Sequence, residues 1–231
     1  VTDALIQAVR EDNDWLLVFP ADAWGEAEGE LVSRTWPGRE GEVPCRVVRR
    51  LPARRLWRKL LRASYDYAEP GVLFIDRINQ LDNLGYCERI QATNPCGEIP
   101  LPAYGACNLG SINLTAFVQD PFTPQARLDW ADLQSCVGVA VRFLDDVIDL
   151  SAFPLSQQQA QARASRRIGL GITGLADTLI LLGLGYGTQA ARELAAAVMK
   201  ALCHSAYRAS VALARERGPF PAFRAGPYLE A

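Results

Sequence analysis

Three residues with chemically useful side chains alternate along one short segment, namely Asn94, Cys96 and Glu98, with Pro95 and Gly97 between them. In an extended backbone, alternate side chains point to the same side, so we expect these three to share one face. A thiol can donate and accept a hydrogen atom, a carboxylate can act as a base toward a hydroxyl group, and an amide can orient hydroxyls without adding charge. The segment therefore favours one-electron thiol chemistry on a polyhydroxylated substrate.

A second thiol, Cys107, follows eleven positions after Cys96, beyond a proline-containing stretch at 100–105 that is typical of a turn. Two plainer interpretations stay open on spacing alone. Either cysteine could be a small buried hydrophobic residue, which is the common role of a free cysteine. The two thiols could also form a structural disulfide, since they flank a turn.

Residues 92–102 (ATNPCGEIPLP) and 104–114 (YGACNLGSINL) resemble the active-site finger loop of ribonucleotide reductases, most closely the adenosylcobalamin-dependent, class II branch. The likeness extends over nearly the whole chain. Further segments that are similar to the family are 65–79 (YDYAEPGVLFIDRIN), 166–177 (RRIGLGITGLAD) and 218–223 (GPFPAF). The length of these contiguous motifs makes a chance match improbable.

The resemblance implies an α/β fold, in which residues 1–231 form a single partial catalytic-barrel domain of a larger subunit. In the family, helices surround a barrel of ten strands and the finger loop threads through its centre. It implies that Cys96 carries a transient thiyl radical, that Glu98 is a general base toward the 3′-hydroxyl, and that Asn94 binds and orients the ribose. Cys107 matches one of two cysteines that deliver reducing equivalents.

The resemblance also implies a cofactor and partners. These are adenosylcobalamin, a ribonucleotide substrate (a diphosphate, by likeness to larger class II relatives), a thioredoxin- or glutaredoxin-like reductant, and the remaining segments of the reductase subunit. The second reducing cysteine lies upstream in relatives, and no surroundings before Cys96 match it; Cys45 and Cys87 are available, and neither is assigned. A recognisable phosphate-binding segment and specificity loop are also missing.

Two other functions remain open. The chain could be a catalytically inactive remnant or an assembly partner, because it lacks the upstream redox cysteine and the phosphate-binding loop. It could also be an unrelated thiol-disulfide protein that uses Cys96 and Cys107. A hydrolase is disfavoured, because the only histidine, His204, falls in a long helical pattern where a packed or surface role is expected.

The composition narrows the setting. The net charge of −2 and the charged fraction of 22% do not indicate a nucleic-acid polymer as partner. No apolar run reaches the roughly 20 residues of a membrane span, and no signal-peptide pattern is evident. The six cysteines have neither C-x-x-C nor zinc-site spacing, so we expect no metal and a reducing, cytoplasmic location.

The coarse pattern predicts several elements. Short helices are expected over 1–10 and 173–182. Between them, the sequence predicts a helix whose apolar face runs from Leu56 to Ala68 and a buried strand at 72–75. Asp129 is predicted to cap a helix that carries one apolar stripe, namely Leu133, Val137, Val141, Leu144 and Ile148. Thr188 is predicted to open the last long helix, which ends at Gly218. Acidic residues 145, 146 and 149 are read as a solvated patch. Glycines 169, 171 and 174 have the spacing of a dinucleotide-binding turn, but the segment before them is not an apolar strand, which that turn requires. Close helix packing is therefore the favoured role of these glycines.

Overall fold

The computed structural model of this chain describes residues 1–24, 29–36, 38–39 and 41–230. Within it the backbone forms two compact units. The first comprises Val1–Ala103 together with the segment that starts at Gly226, and the second comprises Tyr104–Ala225. The candidate residues Asn94, Cys96 and Glu98 belong to the first unit, and Cys107 belongs to the second.

The first unit combines helices with two small antiparallel sheets. Strand β3 pairs with both β1 and β2, and β4 pairs with β5. In chain order its elements are α1 (Asp3–Glu11), β1 (Asp14–Pro20), β2 (Leu31–Thr35), β3 (Glu42–Pro52), α2 (Ala53–Tyr67), α3 (Ile75–Gln80), β4 (Ile90–Thr93) and β5 (Pro100–Pro102). Residues 21–43 are rich in glutamate, glycine and turn residues, which predicts a surface loop or a strand pair; positions 25–28, 37 and 40 of this region lie outside the described residues.

The second unit is mostly helical and contains a parallel strand pair. Its elements are β6 (Asn108–Asn113), β7 (Val118–Gln119), β8 (Arg127–Leu128), α4 (Trp130–Leu150), α5 (Ser156–Ser165), β9 (Ile168–Thr173), α6 (Leu175–Leu181) and α7 (Gln189–Arg217). A last helix, α8 (Ala225–Glu230), closes the described chain and, from Gly226 onward, belongs to the first unit. Strands β6 and β9 run parallel in register from Asn108↔Ile168 to Asn113↔Thr173.

The α/β character of the prediction is confirmed, whereas the barrel itself is not seen. A closed barrel requires each strand to be hydrogen-bonded on both sides. In the described part of the chain, β6 and β9 have only each other as partners, and the remaining strands belong to small antiparallel sheets. The parallel pair, joined through α4 and α5, is therefore the piece of this structure that resembles barrel architecture.

Helix α4 follows the sequence prediction closely. The Asp129 side chain accepts a hydrogen bond from the backbone N–H of Asp132 at 3.0 Å and caps the helix. The buried positions on α4 are spaced three and four residues apart, as a single helical stripe requires: Leu133, Val137, Val141, Leu144 and Ile148. Leu133, Val137 and Val141 of this stripe belong to the main core, together with Val198 and Leu202 of α7 and Ile112 of β6.

The other predicted helices are also present, whereas α3, α5 and α8 were not predicted. Thr188 caps α7, and its hydroxyl oxygen accepts from the N–H of Ala191 at 3.2 Å. Helix α2 ends one residue before Ala68, and Leu61 is exposed although the predicted apolar face included it. Leu56, Trp57 and Leu60 of that face are half-buried, and Ala68 is exposed.

The strand predicted at 72–75 is wrong. Residues 71–74 have no regular secondary structure, and Ile75 begins α3. The stretch pairs with one residue of another segment: Leu73 O accepts from Val1 N at 2.6 Å, and Ile75 N donates to Val1 O at 3.1 Å, while Phe74 O accepts from Ile78 N at 3.1 Å in the first turn of α3. One such pairing does not make a ladder, and Phe74 is exposed rather than buried.

The glycine-rich run serves a strand and a turn rather than helix packing. Gly169 and Gly171 lie inside β9, and a Cβ at Gly169 would lie 2.5 Å from Cδ2 of Leu109 on the paired strand. Gly174 follows β9 with φ +71° and precedes α6. The glycines thus permit close strand contact and a left-handed turn, and the dinucleotide-binding interpretation stays disfavoured.

Candidate functional site

The candidate loop is the connection of a β-hairpin. Strands β4 and β5 pair antiparallel, and the last pair, Thr93↔Pro100, leaves residues 94–99 as the loop. Gly97 N donates to Asn94 O at 3.1 Å, and Gly97 has φ +86°, a conformation that favours glycine. The expected extended backbone is therefore wrong here, because residues 94–97 form a turn and strict side-chain alternation does not apply.

The loop nevertheless carries all three predicted residues together. The Cys96 thiol is free and exposed, Glu98 is exposed, and Asn94 is half-buried. A thiol at an exposed loop tip can be approached by a substrate or a cofactor, whereas a thiol packed in the core cannot. The accessibility of Cys96 argues against the interpretation of this cysteine as a small buried hydrophobe.

Asn94 stabilises the loop from within. Its side-chain oxygen accepts hydrogen bonds from the backbone N–H of Ile99 at 3.1 Å and from the hydroxyl of Thr93 at 3.2 Å. An amide carries a donor group as well as this acceptor. Among the described residues the Asn94 NH₂ group makes no hydrogen bond, so it is the part of the side chain that can serve a ligand.

A residue that the sequence analysis did not single out, Asn79, anchors the hairpin. Its side-chain oxygen accepts from Ile90 N at 2.9 Å, and its NH₂ group donates to Ile90 O at 3.0 Å and to Ile75 O at 2.9 Å. Ile90 is the first residue of β4 and is buried. The amide of Asn79 thus replaces a neighbouring strand at the base of the hairpin, which satisfies both backbone groups of Ile90.

Cys107 lies in the second unit, directly before β6. Its thiol is free and half-buried, and burial raises the pKa of the Cys107 thiol. Its Sγ is 3.9 Å from the backbone oxygen of Asn108. The position that a Cβ would take at Gly169 is 3.7 Å from the same sulfur, so glycine leaves room beside the thiol. Cys96 and Cys107 form no disulfide in this structure.

The acidic residues near the end of α4 are ion-paired, and Asp146 and Asp149, which are 44% and 54% exposed, also remain solvated as predicted. Arg166 pairs with Asp145 at 2.8 Å and with Asp149 at 2.7 Å, and Arg217 pairs with Asp145 at 3.0 Å and with Asp146 at 2.6 Å. The Arg166 hydrogen bonds hold the pKa of Asp149 below its ordinary value. The opposite charges at 145–149 and 166–167 were the available sequence signal.

Three further features of the described chain bear on its chemistry, namely the histidine, possible metal sites and possible membrane spans. His204 lies exposed on α7, as expected for a surface role. Over residues 1–24, 29–36, 38–39 and 41–230, no three His, Cys, Asp or Glu side chains are grouped so that they could hold a metal ion. None of the helices described is both long enough and apolar enough to cross a membrane.

Comparison with known proteins gives a family and several relatives. The family model described as "Ribonucleotide reductase, barrel domain" matches residues 1–231. The vitamin B12-dependent ribonucleoside-diphosphate reductase of Mycobacterium tuberculosis (strain CDC 1551 / Oshkosh) is 41% identical over 98% of this chain and 30% of its own length. The protein of the same name from Thermoplasma acidophilum is 42% identical over 77% of this chain and 23% of its own length.

The ribonucleoside-diphosphate reductase large chain of Encephalitozoon cuniculi is more distant, at 30% identity over 98% of this chain and 29% of its own length. The higher identity to the vitamin B12-dependent relatives confirms the resemblance to that branch. The chain spans less than a third of the length of these curated relatives. With a match along all of its residues, the chain belongs to the ribonucleotide reductase barrel-domain family.

Proposed function

We propose that this chain is part of the catalytic barrel of an adenosylcobalamin-dependent ribonucleoside-diphosphate reductase, which makes deoxyribonucleotides for DNA synthesis and repair. The observation that carries the proposal is the exposed Cys96 thiol in a hairpin loop that also holds Asn94 and Glu98. The similarity to two vitamin B12-dependent ribonucleoside-diphosphate reductases supports the choice of cofactor and of a diphosphate substrate.

Cys96 starts and ends the reaction. As a thiyl radical it removes the hydrogen atom from C3′ of the ribose, which leaves a thiol on Cys96 and a carbon radical on the sugar. At the end the same thiol returns a hydrogen atom to C3′, and the thiyl radical is regenerated. The exposed position in the loop supports this role, because the sulfur must reach a ligand rather than the protein core.

Glu98 and Asn94 act on the ribose hydroxyls. The Glu98 carboxylate accepts the proton of the 3′-hydroxyl, for which it needs a hydrogen-bond-length approach and a solvent-accessible position. The Asn94 NH₂ group donates to a ribose hydroxyl, while its oxygen remains bonded to Ile99. The same residue then shapes the loop and orients the sugar, with different ends of its amide.

Cys107 supplies half of the reducing power. The 2′-hydroxyl leaves as water after it is protonated, and two thiols lose two electrons and two protons as they become a disulfide. The net change is one ribonucleotide and two thiols to one deoxyribonucleotide, one disulfide and water. Cys45 has no exposed surface and is a poor second partner, whereas Cys87 is exposed; neither is assigned.

The loop offers the group on which adenosylcobalamin would act, namely an exposed thiol. Adenosylcobalamin, when bound, supplies the one-electron oxidation that turns a thiol into a thiyl radical, and Cys96 is a thiol open to solvent. The role of this chain toward the cofactor is to present that sulfur on the short hairpin loop, which Asn94 and Asn79 hold in shape.

The wider context follows from the family. We infer that residues 1–231 contribute to one partial catalytic-barrel domain and act with the remaining segments of a reductase subunit. A thioredoxin- or glutaredoxin-like protein would reduce the disulfide after each turnover, in a reducing, cytoplasmic setting. The ten-stranded barrel would be completed by strands that flank β6 and β9 on their free sides.

The test uses the reductase polypeptide that carries these residues, with adenosylcobalamin, a dithiol and a ribonucleoside diphosphate. Formation of deoxyribonucleotide by the wild type, and its loss in Cys96→Ser, is the expected result. Lack of any reduction by the wild type would favour the inactive remnant. Thiol-disulfide exchange without cobalamin that survives Cys96→Ser and is lost in Cys107→Ser would favour a plain redox protein.

A further inference from the structure

The segment that carries Cys107 is tied to two different elements through Asn108. The backbone N–H of Asn108 donates to Arg167 O at 3.3 Å, directly before β9. The side-chain NH₂ of Asn108 donates to Leu144 O at 3.2 Å, in the last turns of α4. The residue after the thiol is therefore held on one side by the start of a strand and on the other by a helix.

Arg166 connects those same two attachment points. Its Nε donates to Asp145 Oδ1 at 2.8 Å, and its Nη2 donates to the backbone oxygen of Asp145 at 3.0 Å. Asp145 follows Leu144, and Arg166 precedes Arg167. The contacts thus form a closed ring from Asn108 to 144–145, from there to 166–167, and back to Asn108.

The Arg166 side chain is fixed at four points. Besides its two contacts with Asp145, it donates to both carboxylate oxygens of Asp149 at 2.7 and 2.9 Å, and only 20% of its side chain is exposed. Its backbone has φ +46°, which costs an L-residue about 1–2 kcal/mol. Planar, charge-assisted contacts of this kind are specific to a guanidinium and stabilise the strained turn.

Resting on the proposed role of Cys107 as a reducing cysteine, we propose that Asn108 and Arg166 are positioning residues that hold the Cys107 thiol half-buried and correctly placed for disulfide formation. Neither residue touches the reacting atoms. They act through the backbone of Asn108, which follows the thiol, and through the helix and strand segments that hold Asn108. The raised pKa of the Cys107 thiol agrees with a half-buried position, because burial disfavours the charged thiolate.

The first test measures the alkylation of each cysteine separately, with iodoacetamide and peptide mass spectrometry, as a function of pH. In Arg166→Gln and in Asn108→Ala, we expect Cys107 to react about threefold to tenfold faster at neutral pH, with a lower apparent pKa. Cys136, half-buried on α4, and Cys45, fully buried, report on the fold and are expected to react as in the wild type.

Two further variants sharpen the comparison. Arg166→Lys keeps the positive charge but loses the planar guanidinium that contacts Asp145 and Asp149 together. We therefore expect the reactivity of Cys107 in this variant to lie between that of the wild type and that of Arg166→Gln. Arg127→Gln removes another ion pair of the same unit, with Asp120 at 2.9 Å, that lies outside the ring around Asn108. It is expected to leave Cys107 unchanged.

The outcomes are distinct. Unchanged Cys107 reactivity in both Arg166→Gln and Asn108→Ala would overturn the proposal. A parallel rise at Cys136 and Cys45 would also overturn it, because general loosening would then explain the effect. The second measurement is turnover in the reductase polypeptide, where Arg166→Gln should lower kcat about tenfold and leave KM for the ribonucleotide within about twofold. Alkylation does not depend on turnover, so failure of the proposed function would be seen separately, in the Cys96→Ser experiment.

Discussion

The side-chain oxygen of Asn94 accepts a hydrogen bond from the backbone N–H of Ile99 at 3.1 Å and so closes the loop that holds Cys96. The residue proposed to orient the substrate is thereby also a structural part of its own loop. This dual use of one amide makes the two roles separable by substitution, because an aspartate retains the acceptor and lacks the NH₂ donor.

Asn94→Ala is expected to speed hydrogen exchange at the Ile99 amide about fivefold, since a net hydrogen bond of about 1 kcal/mol is lost. Asn94→Asp is expected to keep Ile99 protected. Both variants should lower ribonucleotide reduction, because both lack the NH₂ group. Equal exchange rates at Ile99 in the two variants would show that the acceptor does not hold the loop.

Asn79→Ala leaves both backbone groups of the buried residue Ile90 without their side-chain partner. We expect a loss of about 1–3 kcal/mol in the free energy of unfolding, measured by urea titration. The matched control is Asn83→Ala, because Asn83 is exposed and makes one long contact, to Tyr228 at 3.4 Å. Its effect is expected to stay within about 0.5 kcal/mol. Similar losses in both variants would argue against the anchor.

The core prediction compares two valines on α4 that are two residues apart. Val137 is 0% exposed and Val139 is 68% exposed. Val137→Ala should lower the free energy of unfolding by about 1–3 kcal/mol, because it removes buried apolar surface and leaves a cavity. Val139→Ala should change it by less than about 0.5 kcal/mol, since alanine is a good helix former. Reversal of this order would mean that α4 faces the core with a different side.

The ion pair between Arg166 and Asp149 predicts a dependence of stability on acid. The hydrogen bonds from Arg166 depress the pKa of Asp149 in the folded state. The ion pair therefore contributes its full stability at pH values above the pKa of Asp149 in the unfolded chain, which is about 3.9. This contribution is lost as the pH falls through the lower pKa of the folded state. Urea titrations at neutral pH and at about pH 3 should show that the free energy of unfolding falls less on acidification for Asp149→Asn than for the wild type.

The Arg166→Gln variant provides the coupling control for that experiment. If the pair acts as a unit, the double variant Arg166→Gln/Asp149→Asn should lose no more stability than the larger single effect. Strictly additive losses, or an unaltered acid dependence in Asp149→Asn, would contradict the assignment.

The sequence predicted those parts of the fold that are governed by local periodicity. The stripe from Leu133 to Ile148 and the caps at Asp129 and Thr188 are local patterns, and all are confirmed. The run at 72–75 was misassigned because apolar composition alone cannot tell whether a strand finds a partner. Likewise, the pairing of β6 with β9 joins residues about 60 positions apart, which no local pattern reveals.

The candidate site was predictable in composition and less so in geometry. The motif around Cys96 identified the right loop, yet the turn at Asn94 and Gly97 depends on a hydrogen bond that spacing does not show. The roles of Asn79 and Asn108 escaped the sequence analysis, because an asparagine that bonds distant backbone has no periodic signature. The ion pairs of Arg166 could have been suspected from the acidic residues at 145–149 and the basic residues at 166–167, which carry opposite charges.

The most direct test of the account is hydrogen abstraction by Cys96. In the reductase polypeptide that carries this chain, with adenosylcobalamin, a dithiol and a ribonucleoside diphosphate deuterated at C3′, the wild type should form deoxyribonucleotide with a measurable isotope effect. Cys96→Ser should form none, while it keeps the wild-type alkylation pattern at Cys45, Cys107 and Cys136. Deoxyribonucleotide formation by Cys96→Ser at the wild-type rate would contradict the central claim.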